Sequence, residues 1–233
     1  MSTISSFSSD GGSRSLDLPS PLAAALFDLD GTLIDSIPLI RESFRYACRT
    51  VLGTLLPDDV LLSRVGMPLE QQMRAIAPDK ADELVRVYRE HNHAHHDAMV
   101  RAYPGAPELL ARLRESGTRI GIVTSKSRWL AERGIRVAGL EGFVDCLVAA
   151  DDVDAHKPDP TPIYACLRSL GTEAKDSLFV GDSPFDIESA RRAGVLAIAI
   201  ASGPFSEEQL RAAEPAFLVK SIDELRSLLF DGE

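Results

Sequence analysis

The chain has 233 residues, 45% hydrophobic and 26% charged, and its 25 Lys and Arg against 35 Asp and Glu give a net charge of -10. That length supports one sizeable core, or a core with a smaller attachment. That charge repels nucleic acid and anionic membrane unless basic groups cluster locally. It also repels a phosphorylated substrate, so a site for one needs positive charge of its own, from a metal ion or a buried lysine.

Residues 1–20 are rich in Ser and Gly and include Asp10, Asp17 and one basic residue, Arg14. This composition predicts a disordered tail and fits neither a secretion signal nor an organelle transit peptide. No apolar run reaches the length of a membrane span. Cys48, Cys146 and Cys166 are far apart and form no C-x-x-C pair. They read as reduced core thiols of a cytoplasmic protein.

After the tail, the short apolar run 23–27 stops at Asp28, as a buried strand does at a functional edge. Runs 119–124, 177–182 and 195–200 have the same form, and 146–150 is a weaker one followed by Asp151-Asp152. Helical patterns lie between them. Residues 107–115 carry Leu109, Leu110 and Leu113 on one face before Gly117, 161–170 precede Gly171, and 186–193 precede Gly194. This alternation predicts an α/β fold, a doubly wound parallel sheet with helices on both faces and ligands at the carboxyl ends of the strands.

Residues 37–101 break the alternation. They show only helical patterns, at 39–51, 57–64, 68–76 and 79–97, the last with a stripe of Leu84, Val87 and Tyr88. The division expected is a core of 21–36 plus 102–233, with a helical domain of 37–101 inserted after the first strand.

The segment Phe27-Asp28-Leu29-Asp30-Gly31-Thr32-Leu33 carries the chemistry. Two carboxylates two residues apart, just past a buried strand, need a compensating charge. A hard divalent cation such as magnesium suits oxygen ligands, and Gly31 permits a sharp turn. Alone, D-x-D-G is a weak signal. Here it is joined by Thr124 at the end of the second strand, by Lys157 in His156-Lys157-Pro158-Asp159-Pro160, and by Gly181-Asp182-Ser183-Pro184-Phe185-Asp186 closing the fourth. Each has a plain structural reading as well. Asp182 and Ser183, for instance, would serve as caps of a helix beginning near Pro184.

In this order, these residues resemble the four motifs of the haloacid dehalogenase-like superfamily of phosphohydrolases. The resemblance runs from Ala23 to the C-terminus and implies a helical cap after the first strand. Residues 27–36, Tyr103-Pro104-Gly105, 150–160 and 181–187 are similar to the phosphoglycolate phosphatase group and to a related bacterial pyrophosphatase. Ser125 departs from the Asn that many such members carry.

The resemblance implies that Asp28 is the nucleophile that becomes an aspartyl-phosphate, and that Asp30 is the acid and then the base. An acid at Asp30 favours phosphate chemistry over halide expulsion, which needs no proton. Mg²⁺ would be held by the Asp28 side chain, the Asp30 backbone carbonyl and Asp182, with Asp186 supporting its waters. Lys157 would neutralise the phosphoryl charge, together with Mg²⁺ offsetting Asp28, Asp30 and Asp182. Thr124 and the Ser125 N–H would hydrogen-bond a phosphate oxygen.

In such proteins a loop at 64–68 reaches over the site, which makes Arg64 and Gly66 candidate substrate contacts. The run 91–96, with four histidines, reads mainly as a solvated helix face, with zinc binding as the alternative. Trp129 reads as a core residue. The expected partner is a small phosphorylated metabolite, not nucleic acid or membrane, and the expected state is a monomer or homodimer. The leading function is phosphoglycolate hydrolysis. Pyrophosphatase, sugar-phosphate mutase and a non-catalytic domain phosphorylated on an aspartate are the alternatives.

Overall fold

A computed structural model describes residues 18–230. The tail expected at 1–20 falls largely outside this range, but Leu18 within it packs against the main core.

The strands are β1 (Ala24–Phe27), β2 (Ile34–Asp35), β3 (Arg101–Ala102), β4 (Arg119–Val123), β5 (Cys146–Val148), β6 (Ser177–Gly181), β7 (Leu196–Ile200) and β8 (Phe217–Val219). Six of them form a sheet of order β5-β4-β1-β6-β7-β8, and every pairing in it is parallel. All four residues of β1 are buried, which is why the strand reads as an unbroken apolar run instead of an alternating one. The chain builds outward from β1 through β4 to β5, then returns to the other side of β1 with β6. The crevice between the ends of β1 and β6 is therefore the topological switch point, where such sheets bind ligands.

The helices are α1 (Ile37–Leu52), α2 (Asp58–Leu61), α3 (Leu69–Ile76), α4 (Ala81–Met99), α5 (Ala106–Glu115), α6 (Arg128–Val137), α7 (Thr161–Leu170), α8 (Pro184–Ala193), α9 (Glu207–Ala212) and α10 (Ile222–Phe230). Two hydrophobic clusters cover the two sheet faces, one around Phe27, Ile122 and Val180 and the other around Leu26, Phe179 and Ile187. Adjacent residues of one strand thus feed opposite layers, as a pleated strand requires.

Helices α1 to α4 gather a third cluster of their own, built from Ile37, Phe44, Met73, Leu84 and Tyr88. Phe44 and Tyr88 meet edge to face at 4.9 Å, joining α1 to α4. At the base of this helical segment, outgoing β2 pairs antiparallel with incoming β3. Two-residue strands carry too little pattern to be read in advance, and β8, an edge strand with two of its three residues only half-buried, is not among the strands the sequence predicts.

Two sequence expectations fail on burial. Trp129 is 56% exposed. It lies on α6 against His93 and under the Arg133 guanidinium, not in the core. Within the run 91–96, His96 is fully buried beside Gly134 of α6, because its side of α4 faces the sheet domain. His91 and His95 stack on one another at the margin, and His91 also stacks on Tyr46. All three cysteines are buried and free.

Candidate active site

Asp28, Thr124 and Asp182 each follow the last residue of a strand, on neighbours β1, β4 and β6. The sheet therefore delivers them side by side. The turn after β1 is sharp. Gly31 has φ +81°, and a Cβ there would lie 2.3 Å from Asp182 Oδ2. A Cβ on Gly203 would come within 1.7 Å of the same atom. Only glycine lets both chains close around the Asp182 carboxylate.

Lys157 arrives from the loop before α7 and is almost wholly buried. Its Nζ lies 2.9 Å from Asp28 Oδ1 and 2.6 Å from Asp186 Oδ1. Burial would lower the lysine's pKa, but Asp186 and Asp28 outweigh it and hold the amine protonated, above its usual range. Asp186 is itself fixed. Its Oδ2 accepts from the Ser183 backbone N–H at 3.1 Å and from the Ser183 hydroxyl at 2.5 Å. This is the reciprocal cap of α8, so the capping reading of Ser183 holds together with the site reading.

Ligand oxygens of Asp28, Asp182 and Asp186 lie within 4.8 Å of one another and could hold a metal ion. The donor set fits a hard cation. Asp182 Oδ1 accepts from the Thr32 hydroxyl at 3.2 Å. Its Oδ2 is buried without a hydrogen-bond partner, a state that costs free energy unless a cation or donor meets it. Burial, followed by repulsion from Asp28 and Asp186, pushes Asp182 well above the usual carboxylate range. Asp28 is pushed up to about 7, first by burial, with Lys157 opposing and Asp186 reinforcing the rise. Protein charge alone thus leaves this cluster short of positive charge. Asp186, with both oxygens engaged, anchors Lys157, while Asp182 keeps an oxygen available.

Asp30 lies apart from this group and has its own cation. Its Oδ1 accepts from the Ser36 hydroxyl at 2.5 Å and from Lys126 Nζ at 2.7 Å. Burial alone would raise Asp30, but Lys126 and Ser36 outweigh it and hold the carboxyl below its usual range. The expectation that Lys157 offsets Asp30 is therefore corrected: Lys157 serves Asp28 and Asp186, and Lys126 serves Asp30. Sequence reading missed Lys126. The signal available was its place two residues past Thr124, on the loop leaving β4.

Thr124 is buried, and its hydroxyl accepts from the Lys126 N–H at 3.2 Å, which orders the loop. The Ser125 hydroxyl donates to the Gly66 carbonyl at 2.6 Å, tying this loop to the helical segment. Asp28, Asp30, Gly66, Thr124, Ser125 and Lys126 share a cavity of about 380 Å³ between the sheet's carboxyl edge and α1, α3 and α4. Gly66 lies on its wall, while Arg64 is exposed and off it. Tyr88 and Asn92 of α4 line the opposite side.

Comparison with known proteins agrees with this geometry. Residues 25–200 match the family model described as haloacid dehalogenase-like hydrolase. The pyrophosphatase PpaX of Anoxybacillus flavithermus is 36% identical over 204 residues, 88% of this chain and 95% of that protein. The protein of the same name from Halalkalibacterium halodurans is 35% identical over the same shares. The crystal structure of a predicted phosphoglycolate phosphatase from Haemophilus somnus superimposes with a TM-score of 0.79 at 22% identity. That match covers 89% of this chain and 98% of the other, a likeness of fold. With its residues 25–200 matching the family model and its carboxylates gathered at the switch point of the sheet, the chain belongs to the haloacid dehalogenase-like hydrolases and is a phosphatase.

Proposed function

We propose that the protein hydrolyses a small phosphorylated metabolite in two steps through an aspartyl-phosphate on Asp28. The observation that carries this reading is the position of Lys157 between Asp28 and Asp186, beside an Asp182 oxygen that lacks a partner.

Asp28, aimed at the cavity from the end of β1, attacks phosphorus. Lys157 holds positive charge at the oxygen that must not repel the incoming phosphate, and Thr124 with the Ser125 N–H orients a phosphoryl oxygen. Asp30 sits on the leaving-group side; held ionised by Lys126 and Ser36, it first takes up a proton, as from a singly protonated phosphate group of the incoming substrate, gives it to the departing oxygen and then takes one from the water that releases phosphate. Asp28, Asp182 and the Asp30 carbonyl would hold Mg²⁺, with Asp186 behind them. When bound, the ion supplies the charge that offsets the clustered acids and the developing phosphoryl charge.

Phosphoglycolate is the first candidate substrate, because the motif segments are similar to that group. Pyrophosphate is the second reading, favoured by the name of the relatives at 35–36% identity. A panel of phosphorylated metabolites with pyrophosphate, assayed with Mg²⁺ and compared by kcat/KM, tests both. Rapid acid quench of labelled substrate should recover a phosphoenzyme that Asp28→Asn cannot form. One stoichiometric phosphorylation without steady phosphate release would instead indicate a signalling domain.

A further inference from the structure

We propose that Lys126 is a specificity residue that binds an anionic group on the leaving half of the substrate, so that the preferred substrates carry a second ionised group beyond the transferred phosphoryl. This rests on the proposed phosphatase reading and narrows its substrate class.

The ammonium of Lys126 sits on the cavity wall with its side chain only 8% exposed. An ammonium carries three donors. Among the described residues, Asp30 Oδ1 is the one acceptor for Lys126 Nζ, and that oxygen already takes the Ser36 hydroxyl. Two N–H groups therefore remain for a ligand, in a place with little water to satisfy them. The other positive side chain on this wall, Arg89, is turned to Glu70 at 2.5 Å. Lys157 lies behind Asp28 and is committed to it and to Asp186. Lys126 is thus the cation left over once the transferred phosphoryl has been provided for, and it stands on the Asp30 side, where the departing oxygen must lie. The net charge of -10 repels an anion in general, so the open donors of this nearly buried ammonium give a local place where one is met by charge-assisted hydrogen bonds. A terminal carboxylate or a second phosphate matches it. A neutral aryl or alkyl group leaves its donors unpaired, which is costly in a site built to hydrogen-bond.

The test compares wild-type, Lys126→Met and Lys126→Arg proteins on phosphoglycolate and pyrophosphate against p-nitrophenyl phosphate, whose leaving half has no further ionised group in the bound substrate. Loss of a charge-assisted contact predicts that kcat/KM for the two anionic substrates, relative to the aryl phosphate, falls about tenfold or more in Lys126→Met, chiefly through KM. Lys126→Arg recovers part of that ratio. Equal losses on all three substrates would show that Lys126 merely supports Asp30 and would overturn the assignment, as would a wild-type enzyme that prefers the aryl phosphate. Failure of the wild type on every phosphate compound would sink the phosphatase reading itself, a different result from either.

Discussion

Asp186 holds Lys157: carboxylate Oδ1 and ammonium Nζ are 2.6 Å apart with both side chains buried, and the far oxygen of Asp186 is pinned by Ser183. The lysine that faces the nucleophile is therefore aimed from behind by the first turn of α8. Asp186→Asn removes one counter-charge of a buried ammonium, and breaking such a pair costs about 3 kcal/mol or more. The expected outcome is a lowered midpoint of denaturant unfolding together with a reduced kcat. An unchanged midpoint would mean that Asp28 alone suffices to hold Lys157.

Asp28 behaves in the opposite way. Its carboxyl is held up at about 7 by burial, with Lys157 opposing and Asp186 adding to the rise, so the ionised form is unfavourable in the metal-free fold. Asp28→Asn should cost turnover on the order of 10³-fold or more, about 4 kcal/mol of barrier, since an amide is a poor nucleophile. It should not lower Tm measured without metal. A thermal melt beside an activity assay separates the two, and retained turnover by the pure variant contradicts the nucleophile assignment.

The unpartnered Asp182 oxygen gives a prediction for metal removal. Excess EDTA should abolish turnover, and Mg²⁺ should restore it. Binding to the folded state alone should also raise Tm by about 2–4 °C for each kcal/mol of linkage. In Asp182→Asn the Mg²⁺-induced rise should shrink or vanish. Full activity in chelator would refute the role given to the cluster.

Asp30→Asn keeps the hydrogen bond from Ser36 but removes the counter-charge of Lys126 and the proton carrier. Steady-state turnover should fall about 10²–10⁴-fold, and quench experiments should show slowed formation or breakdown of the phosphoenzyme. Unchanged steady-state rates would remove Asp30 from the acid and base role.

His96 governs part of the acid response. Burial depresses its pKa more than the Asp97 contact raises it, so the fold keeps the ring neutral. Below the usual histidine value of about 6.5 the unfolded chain binds a proton that the folded chain resists. Stability contributed by the neutral ring is then present above that pH and lost as pH falls through and below it. His96→Leu should make the fall in Tm between about pH 7.5 and pH 5.5 shallower, by about 2–4 °C if the linkage is near 1 kcal/mol. An identical slope in the variant would assign the response to other groups.

Much of this protein was legible in its residues. The apolar runs ending at Asp28, Thr124 and Asp182 announce parallel strands, because a strand covered on both faces cannot alternate, and its first polar residue marks the edge. Glycines after amphipathic stretches mark helix ends for the same local reasons. What was hidden is what depends on partners far along the chain. The pairing of β2 with β3, the burial of His96 against Gly134 and the exposure of Trp129 follow from how the helical segment sits on the sheet, and periodicity within one helix does not encode that. Charge pairing was hidden likewise. The family resemblance puts Lys157 and Asp30 in the same set, yet only the fold decides that Lys157 reaches Asp28 and Asp186 while Lys126 takes Asp30, since side-chain electrostatics fall off over a few ångströms and those distances are set by tertiary packing.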